Sequence, residues 1–298
     1  MSHIEVRPAQ AEDREAVLAF CAHTWEHGDY IEHVWNEWLQ NPAGQLIVAT
    51  VDKQPAALVH MEMLTPEDAW LEGLRVAPEF RRQGLARKVN EAALTEAMRR
   101  GAQYARMAIS HINERSQQVS EGGYFRRVGA ILPFNTQATP EKITRVHGSD
   151  KPRLATLEDL DAIIDFLNAS NIFPIVGGLY YLRFRAYPIT AEFLEKKIKA
   201  QQIYVLHRWE RLDGLAIFEV RENPTVSLSI GYIDGTAIEA ISLIGNELLQ
   251  HAIEIEIENV RIYAPDLVIM RDAFAGLGCE EAIAEDSEVY YTYERGLF

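Results

Sequence analysis

Arg7 to Phe20 can be laid over Arg153 to Phe166 without a gap, and this internal repeat restricts the possible fold more than any other feature. The first copy reads Arg-Pro-Ala-Gln-Ala-Glu-Asp-Arg-Glu-Ala-Val-Leu-Ala-Phe, the second Arg-Leu-Ala-Thr-Leu-Glu-Asp-Leu-Asp-Ala-Ile-Ile-Asp-Phe. Arginine, alanine, the Glu-Asp pair, a second alanine and phenylalanine coincide. Each stretch predicts a short strand leading into an amphipathic helix. In the second copy Thr156 stands where an N-cap belongs, and Leu160, Ile163, Ile164 and Leu167 form one apolar stripe. The parallel continues downstream. Gln45 to Val48 and Gln202 to Val205 each open a strand, and a second strand follows over 56–63 and 214–220. Residues 102–109 and 260–269 both read as buried strands after a helix. Two tandem copies of one α/β unit with a mixed sheet follow, 1–147 and 150–298, joined near Gly148 to Pro152. The 298 residues are enough for two such domains.

A net charge of −15 argues against nucleic acid as a partner, because phosphate contacts need a basic face. An acidic field suits an amine or other cationic substrate, although solubility alone accounts for it as well. No apolar run approaches membrane-spanning length, and Met-Ser-His-Ile-Glu-Val-Arg lacks the apolar core of a secretory signal, so no membrane partner is expected and the cytoplasm is the expected compartment. Cys21 and Cys279 form no Cys-x-x-Cys pair, so neither a disulfide framework nor a metal site is indicated.

The chemistry concentrates in Trp70 to Ala86. Leu71, Leu74 and Val76 supply strand character and Pro78 ends it. Arg81, Arg82, Gln83, Gly84, Leu85, Ala86 and Arg87 then form an arginine-rich turn opening a helix. The helix runs from about Leu85 to Arg100, with Leu85, Val89, Ala92, Ala93 and Ala97 on one face and Gly101 closing it. A helix N-terminus offers unpaired N–H groups and a positive dipole end, which makes the turn a candidate pyrophosphate cradle. Neither a Walker loop nor a Gly-x-Gly-x-x-Gly fingerprint is present.

Arg81 to Ala86 resembles the Arg/Gln-x-x-Gly-x-Gly/Ala loop of the GNAT N-acetyltransferases, and Leu74-Arg75-Val76-Ala77-Pro78 is similar to that family's lead-in. The resemblance implies acetyl-CoA as acyl donor. Main-chain atoms of Leu74, Arg75 and Val76 would pair with its pantetheine arm, and Asn113 would contact the cofactor. It also implies Glu72 as the base that acts through water, with His60, Glu62 and His111 as weaker candidates. The family's tyrosine acid is displaced: alignment on Gly129 puts Phe125 in its place, so Tyr124 serves only if Gly122-Gly123 repositions it. Trp25, Tyr30, Trp35 and Trp38 lie where the family builds its substrate pocket, and their spacing equally suits a buried helix face. In the second copy the cofactor slot is filled by residues 227–242, without the arginine turn and with Asp234 and Glu239 set to repel a pyrophosphate. That copy is expected to be degenerate, walling the substrate cleft or supporting a homodimer. The implied function is transfer of an acetyl group to the amine of a small molecule such as an amino acid or polyamine. The Leu-Glu-Gly-Leu-Arg-Val-Ala-Pro string is also similar to that of animal acetyltransferases acting on free histidine. An acyl-CoA-binding sensor and an aminoacyl transferase using charged tRNA are the alternatives.

Overall fold

The structure, a computed structural model, describes residues 3–22, 24, 28–143, 151–222, 225–281 and 289–298; Trp25 lies outside them. The chain divides into two compact units.

Unit 1 comprises Met1–Ala108, Asn113–Arg127 and Tyr293–Phe298. Its elements are β1 (Ile4–Pro8), α1 (Arg14–Cys21), α2 (Ile31–Gln40), β2 (Gly44–Val51), β3 (Gln54–Met63), β4 (Asp68–Val76), α3 (Leu85–Arg99), β5 (Tyr104–Ser110) and α4 (Glu114–Gly122). Strands β1 to β4 pair in sequence order, each antiparallel to the next, and β5 joins β4 in parallel. Residues 293–296 lie on the other side of β5. There the Leu297 N–H donates to the Gln103 carbonyl at 2.9 Å, and Glu294 accepts from the buried Arg106 Nε at 2.9 Å. Leu46, Val48 and Leu58 face Val17 and Cys21 of α1 and Ile31, Trp35 and Trp38 of α2. Alternate positions such as Ile47 and Val59 face the opposite side, and α3 packs against β2, β3 and β4.

Unit 2 comprises Ile109–Ile112 and Val128–Thr292. It contains β6 (Arg126–Gln137) from Val128 onward, β7 (Arg153–Leu154), α5 (Leu160–Ala169), β8 (Leu179–Leu182), β9 (Arg185–Pro188), α6 (Ala191–Lys199) and β10 (Ile203–Arg208). There follow β11 (Arg211–Arg221), β12 (Ser227–Gly235), α7 (Ile238–Glu254), β13 (Asn259–Ala264), α8 (Val268–Gly276), β14 (Glu280–Glu281) and the first residues of β15 (Tyr290–Gly296). Strands β7, β10, β11 and β12 run antiparallel in that order, and β13 joins β12 in parallel. This repeats the β1 to β5 order of unit 1, so the tandem reading and the mixed sheet hold. The core packs α7 and α8 against one sheet face.

The repeated residues do the same work twice. Arg7 grips Asp13 through two hydrogen bonds of 2.7 and 2.8 Å, and Asp13 also accepts from the Gln10 N–H at 2.7 Å. Arg153 grips Asp159 at 2.8 and 2.7 Å, and Asp159 accepts from the Thr156 N–H at 2.8 Å. Each clamp ties the first strand to the turn that opens the first helix. We expect Asp159→Asn to cost about 1–2 kcal/mol in chemical denaturation. Arg153 holds the Asp159 carboxyl down at about 2. The ordinary carboxylate value is near 4, so the clamp's contribution is complete above that pH. It is lost as pH falls from about 4 to about 2. Equal acid sensitivity of the variant and the parent would remove the clamp from the acid response.

The division places Val128–Thr292 in unit 2 and Tyr293–Phe298 in unit 1, and Gly148, at the expected joint, lies outside the described residues. Two expectations need correction. The strand expected over 260–269 stops at Ala264, because Pro265 cannot continue the ladder, and Val268 already begins α8. Asp234 does not face a ligand in the cofactor slot. It is buried, accepts hydrogen bonds from Ser170 Oγ (2.5 Å) and Tyr232 OH (2.6 Å), and burial pushes its carboxyl up. Glu239 is exposed and pairs with Arg208.

Candidate functional site

The site grows out of a mismatch between two strands of unit 1. The parallel ladder joins Asp68, Ala69 and Trp70 of β4 to Tyr104, Ala105 and Arg106 of β5, while β4 continues to Val76. A break in register between β3 and β4 falls between Leu58 and His60, opposite Gly73. Gly73 has φ +71°, and a Cβ there would lie 2.6 Å from the Trp38 ring. Only glycine satisfies both constraints at this bulge. Past Gly73, the edge of β4 carrying Leu74, Arg75 and Val76 has no ladder to β5 among the described residues. We expect Gly73→Ala to cost about 2–4 kcal/mol, from backbone strain and overpacking against Trp38. A melting temperature within error of the parent would show that the bulge relaxes freely.

The turn expected to bind anions follows directly. The Arg81 Nε donates to the Val76 carbonyl at 3.3 Å, which tethers the turn to the end of β4. Arg82 (φ +64°) and Gly84 (φ +76°) adopt left-handed angles, and Gly84 precedes Leu85, the first residue of α3. A Cβ on Gly84 would meet nothing within 4 Å, so its face opens to solvent. No acidic residue occupies the first turn of α3. Arg81, Arg82 and Gln83 are exposed and Leu85 is buried beneath them. Ala86 is half-buried. Arg87 is exposed and pairs with Glu91 at 2.7 Å, one helical turn along. A depression at the turn is lined by Pro78, Glu79, Arg81, Arg82 and Arg115. Arg115 is a basic residue that sequence reading missed. Its signal was the neighbouring Asn113, which caps α4 by accepting from the Ser116 N–H at 3.1 Å. An acyl thioester bearing a pyrophosphate fits these residues, because the space that a Cβ at position 84 would fill lies open at the start of α3, with the guanidinium groups of Arg81, Arg82 and Arg115 around the turn.

Glu72 sits on β4 opposite His60 of β3. Its carboxylate has a side-chain partner there. His60 Nδ1 lies 3.1 Å from Glu72 Oε1, its ring is fully buried, and it stacks on Trp38 at 4.5 Å and 6°. With Glu72 ionised, Nδ1 must carry the hydrogen. Gly44 makes room for the ring, since a Cβ there would lie 2.6 Å from His60 Nε2. Glu62 completes a group whose ligand-type atoms lie within 4.8 Å of one another. The pairing of His60 with Glu72 could be found only from strand register.

Other expected residues are placed as follows. The Arg75 side chain turns to Asp29, with its Nε donating to Oδ2 at 2.6 Å, and lies over the Tyr30 ring at 5.3 Å. Trp35 and Trp38 are buried core residues, and Tyr30 is exposed and meets Trp38 edge-on at 6.0 Å. His111 is exposed and belongs to unit 2. Helix α4 ends at Gly122, so Tyr124 is not helical. It occupies a left-handed position (φ +64°), 79% exposed, with the Arg295 guanidinium 5.7 Å from its ring centre. Arg87 and Tyr124 lie within electrostatic reach of each other. Phe125 is buried and serves packing.

Residues 10–121 match the model of the Acetyltransferase (GNAT) family. No curated protein sequence matches the chain. Among solved structures, a GCN5-related N-acetyltransferase from Sphaerobacter thermophilus is similar over 99% of this chain and 96% of its own, at 12% identity and a TM-score of 0.57. A tandem GNAT protein from the clavulanic acid biosynthesis pathway, solved without AcCoA, is similar over 99% of each chain at 13% identity and a TM-score of 0.52. A GCN5-related N-acetyltransferase from Kribbella flavida covers 99% of this chain and 71% of its own, at 12% identity and a TM-score of 0.50. At these identities the likeness concerns the fold.

Proposed function

We propose that the protein transfers an acetyl group from acetyl-CoA to the amine of a small molecule such as an amino acid or polyamine, since residues 10–121 match the model of the Acetyltransferase (GNAT) family. The observation that carries this reading is that, among the described residues, the β4–β5 ladder ends at Trp70 while β4 runs on to Val76, with the Arg81–Arg87 turn tethered at its end. Bound there, acetyl-CoA supplies an acyl thioester.

Main-chain groups of Leu74, Arg75 and Val76 would hold the extended arm as an added strand does. Amides at the start of α3 would hold the diphosphate, with Arg81, Arg82, Gln83 and Arg115 around them. An amine acceptor arrives protonated, with an ordinary pKa between about 8 and about 10.4, and must lose that proton to become a nucleophile. Glu72 takes it through a water, and His60 fixes the orientation of the carboxylate. A main-chain N–H of β4 donates to the carbonyl oxygen as negative charge develops there. Tyr124, exposed and near Arg87, gives a proton to the departing thiolate, which leaves as the free thiol. The acidic balance of the chain favours approach of a cationic acceptor.

A panel of amino acids and polyamines, incubated with the protein and acetyl-CoA, tests this through release of free thiol. Release that depends on the acceptor is the expected result. Binding of acetyl-CoA with no release for any amine would make the protein a sensor, and absence of binding would overturn the reading entirely.

A further inference from the structure

The sheet of unit 2 carries, on one face, a patch that its position does not explain. A strand buried on both faces is normally apolar on both, and every residue of β12 is buried. Leu228, Ile230, Val260 and Ile262 follow that rule on the face that α7 and α8 cover. On the other face the register sets Ser229 beside Arg261 and Arg261 beside Asn135. The next row holds Arg221 beside Ser227, and Asn259 beside Gln137. Polar side chains thus occupy two successive rows across β11, β12, β13 and β6.

These residues line a cavity of about 520 Å³, within the range of small-molecule sites. Arg183, from the turn between β8 and β9, faces it as well. We propose that this cavity binds a small multiply anionic metabolite through its phosphate or carboxylate oxygens.

The charge arrangement supports that class of ligand. Four basic and two acidic side chains line the cavity, although the chain as a whole carries −15. Glu219, in register with Ser229, is neutralised by Lys197 at 2.6 Å. Of the two lining acids, Glu281 is paired with Arg271, and Glu280 is exposed. Among the described residues neither Arg221 nor Arg261 has a carboxylate partner, and Arg183, Arg221 and Arg261 all act on the buried Tyr263 hydroxyl. Ser229 is only 1% exposed, lines the cavity, and makes no hydrogen bond among the described residues. A buried hydroxyl beside guanidinium groups suits an oxyanion, which accepts from both. A nucleic acid is a poorer match, because it would need a basic surface far wider than this one.

Calorimetry with inorganic phosphate, glycerol 3-phosphate and citrate, at ionic strength matched by KCl, tests the proposal and separates phosphate from carboxylate ligands. The expected result is saturable binding of at least one probe, with a rise in melting temperature. Arg261→Gln and Arg221→Gln should each weaken that binding at least about tenfold, as loss of a charge-assisted hydrogen bond does. Arg82→Gln should leave it unchanged. Should Arg261→Gln fail to fold, Arg221→Gln at the cavity rim carries the test alone. The proposal falls if no probe binds at millimolar concentration, if both arginine variants bind as the parent does, or if Arg82→Gln abolishes the signal and so moves the anion to unit 1.

Discussion

Glu72→Gln should lower the rate of amine acetylation by about 10²- to 10⁴-fold, the range in which general base catalysis contributes. Acetyl-CoA affinity should stay within about twofold, because the carboxylate is absent from the turn expected to hold the cofactor. The substitution is nearly isosteric, and a glutamine oxygen can still accept from His60 Nδ1, so the strand pairing of β3 and β4 survives. The pH dependence makes the result specific. In the parent, the base removes the amine proton across the neutral range. In the variant, the residual rate must wait for spontaneous loss of that proton and climbs toward the pKa of the amine. The deficit is therefore largest at low pH and shrinks as pH rises. A uniform deficit at every pH would point to a structural role for Glu72, and an unchanged rate would remove it from the mechanism.

Gly84→Val should weaken acetyl-CoA binding by at least about a hundredfold, a loss near 3 kcal/mol. Apart from its chain neighbours, no atom of the described residues lies within 4 Å of the position a Cβ would take. A valine side chain there projects into the space we assign to the diphosphate rather than into the core. The backbone angle (φ +76°) resists a β-branched residue and costs about 1–3 kcal/mol of stability. Gly84→Asn separates the two effects, since asparagine tolerates left-handed angles while still placing atoms in the cradle. Calorimetry with acetyl-CoA reads affinity, and thermal melting reads the strain. Normal affinity in both variants would show that ligands do not approach this turn. Loss in valine alone would assign the effect to distortion.

The parts of this molecule that are local in sequence were readable before the structure. The Arg81 to Ala86 turn located the start of α3 within a residue, because a left-handed glycine and the apolar spacing of Leu85, Val89 and Ala93 are written consecutively. The repeat likewise marked Asp13 and Asp159, whose clamps close over a few residues. Contacts that depend on register were not readable. His60 and Glu72 meet because β3 and β4 pair with a bulge, and a register one residue different would turn one of them to the opposite face. Arg115 reaches the cradle only through the placement of α4. Tyr124 lies two residues past the end of α4 at Gly122, in a left-handed position that no local motif announces. The polar face of unit 2 was invisible for the same reason, since Ser229, Arg261 and Asn135 come from three distant segments.

Tyr293–Phe298 lie far along the chain from the rest of the unit they join. During synthesis, a ribosome must therefore read through the whole of unit 2 before the flank of β5 can be filled and Arg106 can meet Glu294. The half that emerges first is the half that finishes last. A nascent chain stalled anywhere before Tyr293 holds β5 with one edge bare, and this is the stage at which a chaperone or a second nascent copy would find a strand to pair with.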